Sequence, residues 1–319
     1  MKESFRVVVT DYGFPNVTLE RKISESAGAE FAAFQCKTEQ QVVAAAKDAD
    51  AVLVQFAPIT RAVIEELTRC KVIVRYGVGI DNVDIEAARG RGIIVCNIPD
   101  YCIDEVADHT FALAMALTRQ ITSIDANVRR NAWSNVAPRP MLASRQTTFV
   151  TLGFGRIARA VLDRAAACKF NVATCDPYLA ADAATSIGVP NLSLDQALET
   201  ADVLSLHVPL NEATRHIIST RTLSLLKPTT YLVNTARGGL VDGIALADAL
   251  DRGQIAGAGL DVFEQEPLPS HHPLRNCANV ILTSHVAWYS EMSGLELQKM
   301  AAEEAIRALR NQPLQSRIV

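Results

Sequence analysis

Residues 148–176 read T-F-V-T-L-G-F-G-R-I-A-R-A-V-L-D-R-A-A-A-C-K-F-N-V-A-T-C-D, and this stretch restricts the chain more than any other. A short apolar run ends in Gly153-Phe154-Gly155. Helical periodicity follows at Ile157, Val161, Leu162 and Ala165, and a second apolar run closes on Asp176. Strand, tight turn, helix and strand thus fit within the roughly 30 residues of a βαβ unit. Gly153 suits the turn and Gly155 lets a pyrophosphate approach the backbone. Ala158, in the third small position, lets the helix pack close to the strand. The anion would face free amides and the positive end of the helix dipole. Asp176 follows Gly155 by about 20 residues, where an acid accepts hydrogen bonds from a ribose. A carboxylate there repels a 2′-phosphate, so the pattern favours NAD over NADP. Two glycines in a turn are common by chance; the flanking strand, helix and acid give the pattern its weight.

At 319 residues and 49% hydrophobic content, two domains are expected. The net charge of −4 and the absence of a Lys/Arg run leave no electrostatic footprint for nucleic acid. The best apolar run, residues 111–117, is far below the roughly 18 residues of a membrane span. The N-terminal residues lead directly into a strand-like run, so no signal peptide is visible, and the cysteine usage is that expected of a cytoplasmic protein. The seven cysteines sit mostly in apolar runs, as at Cys96, Cys168 and Cys175, and read as buried, reduced thiols. No metal-like His/Cys spacing is present, so no metal is expected.

Before this stretch the pattern alternates. Strands are expected at 5–10, 30–35, 51–56, 71–76 and 93–98. Helices are expected at 17–27, at 39–49 capped by Thr38, at 61–69 capped by Thr60, and shortly before Gly90 and Gly92. Apolar β-runs alternating with helices predict a parallel sheet covered on both faces. Pro99 breaks the pattern. One long helix from 103 to about 130, apolar on more than one side, then reads as buried between domains or against another subunit. Strands are expected again at 148–152, 170–176, 203–208, 231–235, 257–262 and 280–284, with helices at 156–168, 194–200, 221–226 and 243–252. The last helix, 290–311, is long enough to return to the first domain. The chain would then cross between domains twice, with a hinge and a cleft as consequences.

Ligands of open α/β sheets bind at the carboxyl ends of strands. Those ends carry N-T-A-R-G-G at 234–239, D-V-F-E-Q-E-P at 261–267, H-V-A-W at 285–288 and G-V-G at 77–79. Arg237 is a permanent cation able to hold a carboxylate by two parallel bonds. His285 can exchange a proton with a hydroxyl near neutral pH. Glu266 can orient the imidazole through its second nitrogen. The amides of Val78 and Gly79 can form an anion nest. Together with a dinucleotide these groups specify interconversion of 2-hydroxy and 2-oxo acids. Each has a plainer reading: Arg237 as a solvated turn charge, Glu266 as a surface acid beside Pro267 and Pro269, His285 as a satisfied strand-end histidine. His271 and His272 read as loop residues, and His109 and His216 as helix or turn surface. His207, before Pro209, borders the cofactor.

These residues carry a family resemblance. V-R-Y-G-V-G-I-D-N-V-D, E-V-A-D-H-T, G-F-G-R-I-A, C-D-P-Y, V-N-T-A-R-G-G-L-V-D, G-L-D-V-F-E-Q-E-P and S-H-V-A-W-Y-S-E together cover about residues 50–312. The chain resembles the D-isomer-specific 2-hydroxyacid dehydrogenases, and Trp288 after His285 points to the branch containing the C-terminal binding proteins. The resemblance implies two doubly wound parallel-sheet α/β domains. A Rossmann NAD-binding domain (101–289) would be inserted into a flavodoxin-like substrate domain (1–100 and 290–319). It implies an NAD-dependent oxidoreductase in which Arg237, Glu266 and His285 are catalytic, His285 as proton donor and Arg237 as carboxylate clamp. Gly153, Gly155, Arg156, Ile157, Asp176, His207, Pro209, Thr214, Thr235, Ala236, Asp261, His285, Trp288 and Val78 would contact NAD, with Asp261 on the nicotinamide carboxamide. Val78, Gly79, Arg237 and Trp288 would meet the small 2-oxo or 2-hydroxy acid. A homodimer through the helix starting near Glu105 is also implied. The alternative is a non-catalytic, NAD(H)-sensing protein-binding module of the C-terminal binding protein type. The chain departs from the pattern at Val78, where relatives carry Ser or Thr, and at Gln146, Val150 and Thr151 around the strand that leads to the fingerprint.

Overall fold

The computed structural model describes residues 4–179 and 188–319. The chain divides into two compact units, residues 1–102 with 289–319 and residues 103–288.

The first unit is built on a five-stranded parallel sheet, β1 (Arg6–Val9), β2 (Glu30–Ala33), β3 (Ala51–Val54), β4 (Val72–Arg75) and β5 (Ile94–Cys96), in the order β2-β1-β3-β4-β5. That is the flavodoxin-like winding. The unbroken apolar run of β3 is fully buried, as a central strand covered on both faces requires. One face is closed by α2 (Glu39–Ala46), α3 (Arg61–Glu66) and α4 (Ile85–Gly90) around Val42, Val63, Ile64 and Ala88. The other carries α1 (Thr18–Ser26) and α11 (Glu291–Leu309). Thr38 caps α2 through a reciprocal box with Gln41, and Asp84 caps α4 by accepting from the Ala87 amide at 2.8 Å. Thr60 precedes α3 in extended backbone but does not cap it. Its hydroxyl is buried without a hydrogen bond, and α3 ends at Glu66, short of the expected 69.

The second unit holds a six-stranded parallel sheet, β6 (Thr148–Leu152), β7 (Asn171–Cys175), β8 (Val203–Leu206), β9 (Tyr231–Asn234), β10 (Gly257–Leu260) and β11 (Val280–Leu282), ordered β11-β10-β9-β8-β6-β7. Beyond β7, a single parallel bridge from Thr174 to Asn191 extends the sheet by one residue. Counting it as a vestigial strand gives the Rossmann winding, with its reversal of direction between β6 and β8. The helices are α5 (Ile103–Thr118), α6 (Ile121–Arg129), α7 (Arg156–Ala167), α8 (Leu194–Thr200), α9 (Thr220–Leu223) and α10 (Gly243–Asp251), numbered among the described residues. Phe149 and Phe170 meet edge to face at 5.9 Å under α5 and α7. Thr151, polar in a buried strand, is satisfied across the sheet by the Thr174 hydroxyl at 3.0 Å.

The long helix expected from 103 to 130 is two helices, because Gln120 adopts φ 52° and its side chain is held by both backbone groups of Arg139: its Nε2 donates to Arg139 O at 3.0 Å and its Oε1 accepts from Arg139 N at 3.2 Å. α6 buries none of its residues, so the apolar periodicity beyond that break describes an exposed face. The helix expected at 221–226 shrinks to the four residues of α9. Cys168, at the end of α7, is exposed rather than buried, because the chain turns outward there through Lys169 at φ 70°.

Candidate active site

The fingerprint turn is built by Gly153, whose φ of 95° is costly for any residue with a side chain. Space excludes one as well: a Cβ there would stand 2.8 Å from the carbonyl oxygen of His207. Gly155 then begins α7 with no side-chain cap, and a Cβ there would meet nothing within 4 Å. The first-turn amides of α7 therefore open onto room for an anion. Arg156 and Ile157 occupy that first turn. At the end of β7, Asp176 accepts from the Phe154 amide at 2.9 Å and the Tyr178 amide at 2.9 Å, while Asn191 brackets its backbone. The acid is thus fixed beside the turn. These groups fit a dinucleotide: an uncapped helix start, clearance at Gly155 and a ribose-height carboxylate.

Past β8, His207 is partly buried and shares a hydrogen bond with Ser205 Oγ at 2.8 Å. Burial pushes its imidazole down to about 4, so it is neutral at physiological pH. Pro209 lies two residues on, and its carbonyl accepts from Thr214 Oγ1 at 2.6 Å, which folds the 209–214 loop on itself.

The loop after β9 is pinned by Asn234. Its Oδ1 accepts from the Ala236 amide at 3.0 Å, and its Nδ2 donates to Arg237 O at 2.9 Å. Thr235 is tied to Thr110 on α5 at 2.7 Å. Arg237 donates from Nη1 to Ala236 O at 2.6 Å and stays partly exposed. The next residue, Gly238, sits directly on the following loop: a Cβ there would lie 1.9 Å from the carbonyl carbon of Phe263. Backbone contact therefore fixes the Arg237 turn against 263–266.

In that loop Glu266 turns back to accept from the Phe263 amide at 2.9 Å, and its Oε2 lies 2.6 Å from His285 Nδ1. Burial would raise the Glu266 carboxyl. The bond and charge of His285 and the Phe263 amide outweigh it and hold the carboxyl below its ordinary value. His285 has φ 57°, a left-handed conformation uncommon for residues with a side chain. Its amide donates to Asp261 O at 2.7 Å, and its carbonyl accepts from Trp288 Nε1 at 3.0 Å.

Asp261, expected to contact the cofactor, is only 1% exposed. Its carboxylate already accepts from Thr283 Oγ1 at 2.5 Å and from the amides of Val286 and Ala287 at 3.0 and 2.9 Å. Its observed work is to shape the loop that carries His285. His109, expected on the helix surface, is partly buried, with Nε2 at 3.0 Å from Thr283 Oγ1. His216 pairs with Glu264 at 2.6 Å. Arg237, Glu266 and His285 thus follow three adjacent strands at one end of one sheet. Val78 and Gly79 belong to the first unit, where the Val78 carbonyl accepts from Asn97 Nδ2 at 2.7 Å and the Val78 side chain is exposed.

A doubly wound sheet with a glycine turn, an uncapped helix start and a strand-end acid defines a dinucleotide-binding protein. Residues 111–287 match the family described as D-isomer specific 2-hydroxyacid dehydrogenase, NAD binding domain, and the chain belongs to that family. It is 39% identical over 277 residues to a D-3-phosphoglycerate dehydrogenase of Methanocaldococcus jannaschii, covering 86% of this chain and 52% of that one. A glyoxylate reductase of Korarchaeum cryptofilum is 39% identical over 274 residues, with 84% and 82% covered. The chain therefore spans about half the length of the phosphoglycerate dehydrogenase relative. The crystal structure of a D-lactate dehydrogenase from Aquifex aeolicus, complexed with NAD and lactic acid, superposes with a TM-score of 0.86 at 28% identity, covering 96% of each chain.

Proposed function

We propose that the protein is an NAD-dependent D-2-hydroxyacid dehydrogenase acting mainly as a 2-oxoacid reductase. The observation that carries this reading is the 2.6 Å contact between Glu266 and His285 beside the Arg237 turn, on the sheet that also bears the dinucleotide turn. Gly153, Gly155, Arg156, Ile157 and Asp176 would hold NAD, with His207, Pro209, Thr214, Thr235 and Ala236 along its length. Bound NADH supplies the hydride. Arg237 binds the substrate carboxylate and polarises the neighbouring carbonyl. Glu266 accepts a hydrogen bond from the Nδ1–H of His285, fixing the tautomer and stabilising the imidazolium. His285 Nε2 then gives its proton to the carbonyl oxygen as the hydroxyl forms. Neutral His207 adds no charge to the site. Residues 1–100 and 290–319 would form the substrate domain, whose Val78 and Gly79 offer backbone amides suited to an anion, and Trp288 would contact the acid from the NAD-binding domain. NADH consumption with glyoxylate, pyruvate and hydroxypyruvate tests the reading, and no consumption with any of them overturns it.

Asp176 would select the cofactor. Bringing a 2′-phosphate against a carboxylate costs several kcal/mol. Asp176→Asn, which retains an acceptor for the Phe154 amide, is expected to relax discrimination against NADPH by about 10- to 100-fold. Comparing kcat/KM for the two cofactors measures it, and an unchanged ratio removes Asp176 from selection.

The protein is further proposed to be a homodimer through the region that begins with α5. Ile121, Val128, Leu142, Val136 (77% exposed) and Trp133 (81% exposed) lie outside any core between residues 121 and 142. Exposed apolar side chains gathered within 22 residues of sequence support an association face in that region. Sedimentation equilibrium should give twice the chain mass, and Trp133→Asp with Val136→Asp should shift it to the monomer. A wild-type monomer at micromolar concentration would refute the assignment.

A further inference from the structure

We infer that His109 is a positioning residue for the proton donor, acting through Thr283 and Asp261; the inference rests on the dehydrogenase reading above. Proton counting sets the direction of the chain of bonds. Thr283 has one hydroxyl proton, and its 2.5 Å bond to Asp261 Oδ1 uses it, since a carboxylate can only accept. Thr283 Oγ1 must then accept from His109 Nε2 at 3.0 Å, so His109 carries its proton on Nε2. A donor sequence results, from imidazole to hydroxyl to carboxylate. The same carboxylate accepts the amides of Val286 and Ala287, the two residues after His285.

The geometry of His285 explains why such support is useful. Its φ of 57° is costly without a surrounding structure that enforces it. Its flanks are held by Asp261 on both sides: the Asp261 carbonyl takes the His285 amide at 2.7 Å and the carboxylate takes the two following amides. Glu266 reaches His285 from the remaining side, at Nδ1. The Asp261 carboxylate is in turn aimed by Thr283, which His109 fixes from α5. Removing His109 takes away the donor to the Thr283 oxygen and leaves the hydroxyl anchored through its proton to Asp261, so Thr283 and the carboxylate it bonds are free to shift together, and the shift reaches the His285 turn. Among the described residues the His109 imidazole bonds Thr283 and lies 3.8 Å from the Asp261 carboxylate, so it acts on the His285 turn through those two groups.

The experiment compares His109→Leu, which removes the donor, with His109→Gln, which restores an N–H at similar reach. Displacing a reacting group by about 1 Å costs up to 10²-fold, so His109→Leu is expected to lower kcat by roughly 10- to 100-fold. KM for the oxo acid and NADH binding by fluorescence titration should stay within about threefold, because the positioned group acts in the chemical step. Slower proton donation should also enlarge the solvent deuterium isotope effect on kcat, which a mere loss of active molecules does not change. His109→Gln should return kcat to within about threefold of wild type. Wild-type kcat and isotope effect in His109→Leu, with His285→Ala inactive, overturn the positioning role and leave the dehydrogenase reading standing. Full activity of His285→Ala overturns both. Should His109→Leu fail to fold, Thr283→Ser and Thr283→Val make the same comparison. The hydroxyl-bearing variant should keep wild-type turnover and the valine variant should not; equal turnover of the two overturns the inference.

Discussion

Replacing His285 with alanine is expected to lower turnover of every 2-oxo acid the enzyme accepts by roughly 10²- to 10⁴-fold, the span for loss of a general acid. In the proposed reaction the side chain would supply the proton that neutralises the forming alkoxide. Glu266, held below its ordinary value and bonded to Nδ1, cannot reach that proton's destination in its place. NADH affinity should change by no more than a few fold, because the dinucleotide turn lies after β6, and His285 follows β11 at the far edge of the same sheet. Rapid-mixing absorbance of NADH with the oxo-acid panel makes the measurement. Unchanged turnover would remove His285 from the mechanism and with it the proposed function. The pair also has a pH dependence. A carboxyl whose folded-state pKa is depressed stabilises the fold above its unfolded value and loses that contribution as pH falls through the depressed one. The Glu266 contribution to the His285 loop is therefore complete above about 4.5 and fades below it.

Arg237→Ala carries the second large effect. In its proposed role as carboxylate clamp the guanidinium would act in both ground and transition states, so kcat/KM should fall by roughly 10²- to 10³-fold with KM rising and kcat falling together. Arg237→Lys keeps the charge without the two-pronged geometry and should recover only part of the loss. Steady-state kinetics with pyruvate and glyoxylate decide it. A change confined to thermal stability would reassign Arg237 as a turn charge supporting Gly238, whose backbone already lies on Phe263.

The strands were legible because each buried one is a short, nearly continuous apolar run, as at 51–54 and 203–206, and the alternation with helices sets the parallel arrangement. The strand-end residues were legible because ligands collect there in doubly wound sheets. What escaped depends on partners distant in sequence. The break at Gln120 rests on Arg139, 19 positions away, and apolar periodicity runs through it unmarked. Thr151 looked misplaced because Thr174, which satisfies it, sits on the neighbouring strand. His109 read as surface because nothing in its helix announces Thr283, 174 residues later. The resemblance gives Asp261 a place at the nicotinamide carboxamide but says nothing of the amides of 286 and 287 that its carboxylate accepts. The only cue to that was position: an acid at a strand end, one strand over from the loop it serves.

The bare start of α7 has a thermodynamic corollary. With no side chain capping its first turn, that helix is completed by whatever anion arrives. A ligand bound by the native state alone stabilises it by RT ln(1 + [L]/Kd), about 2.7 kcal/mol at a hundredfold excess over Kd. Melting of the protein should therefore climb logarithmically with added NADH, making heat resistance a gauge of how much dinucleotide surrounds it.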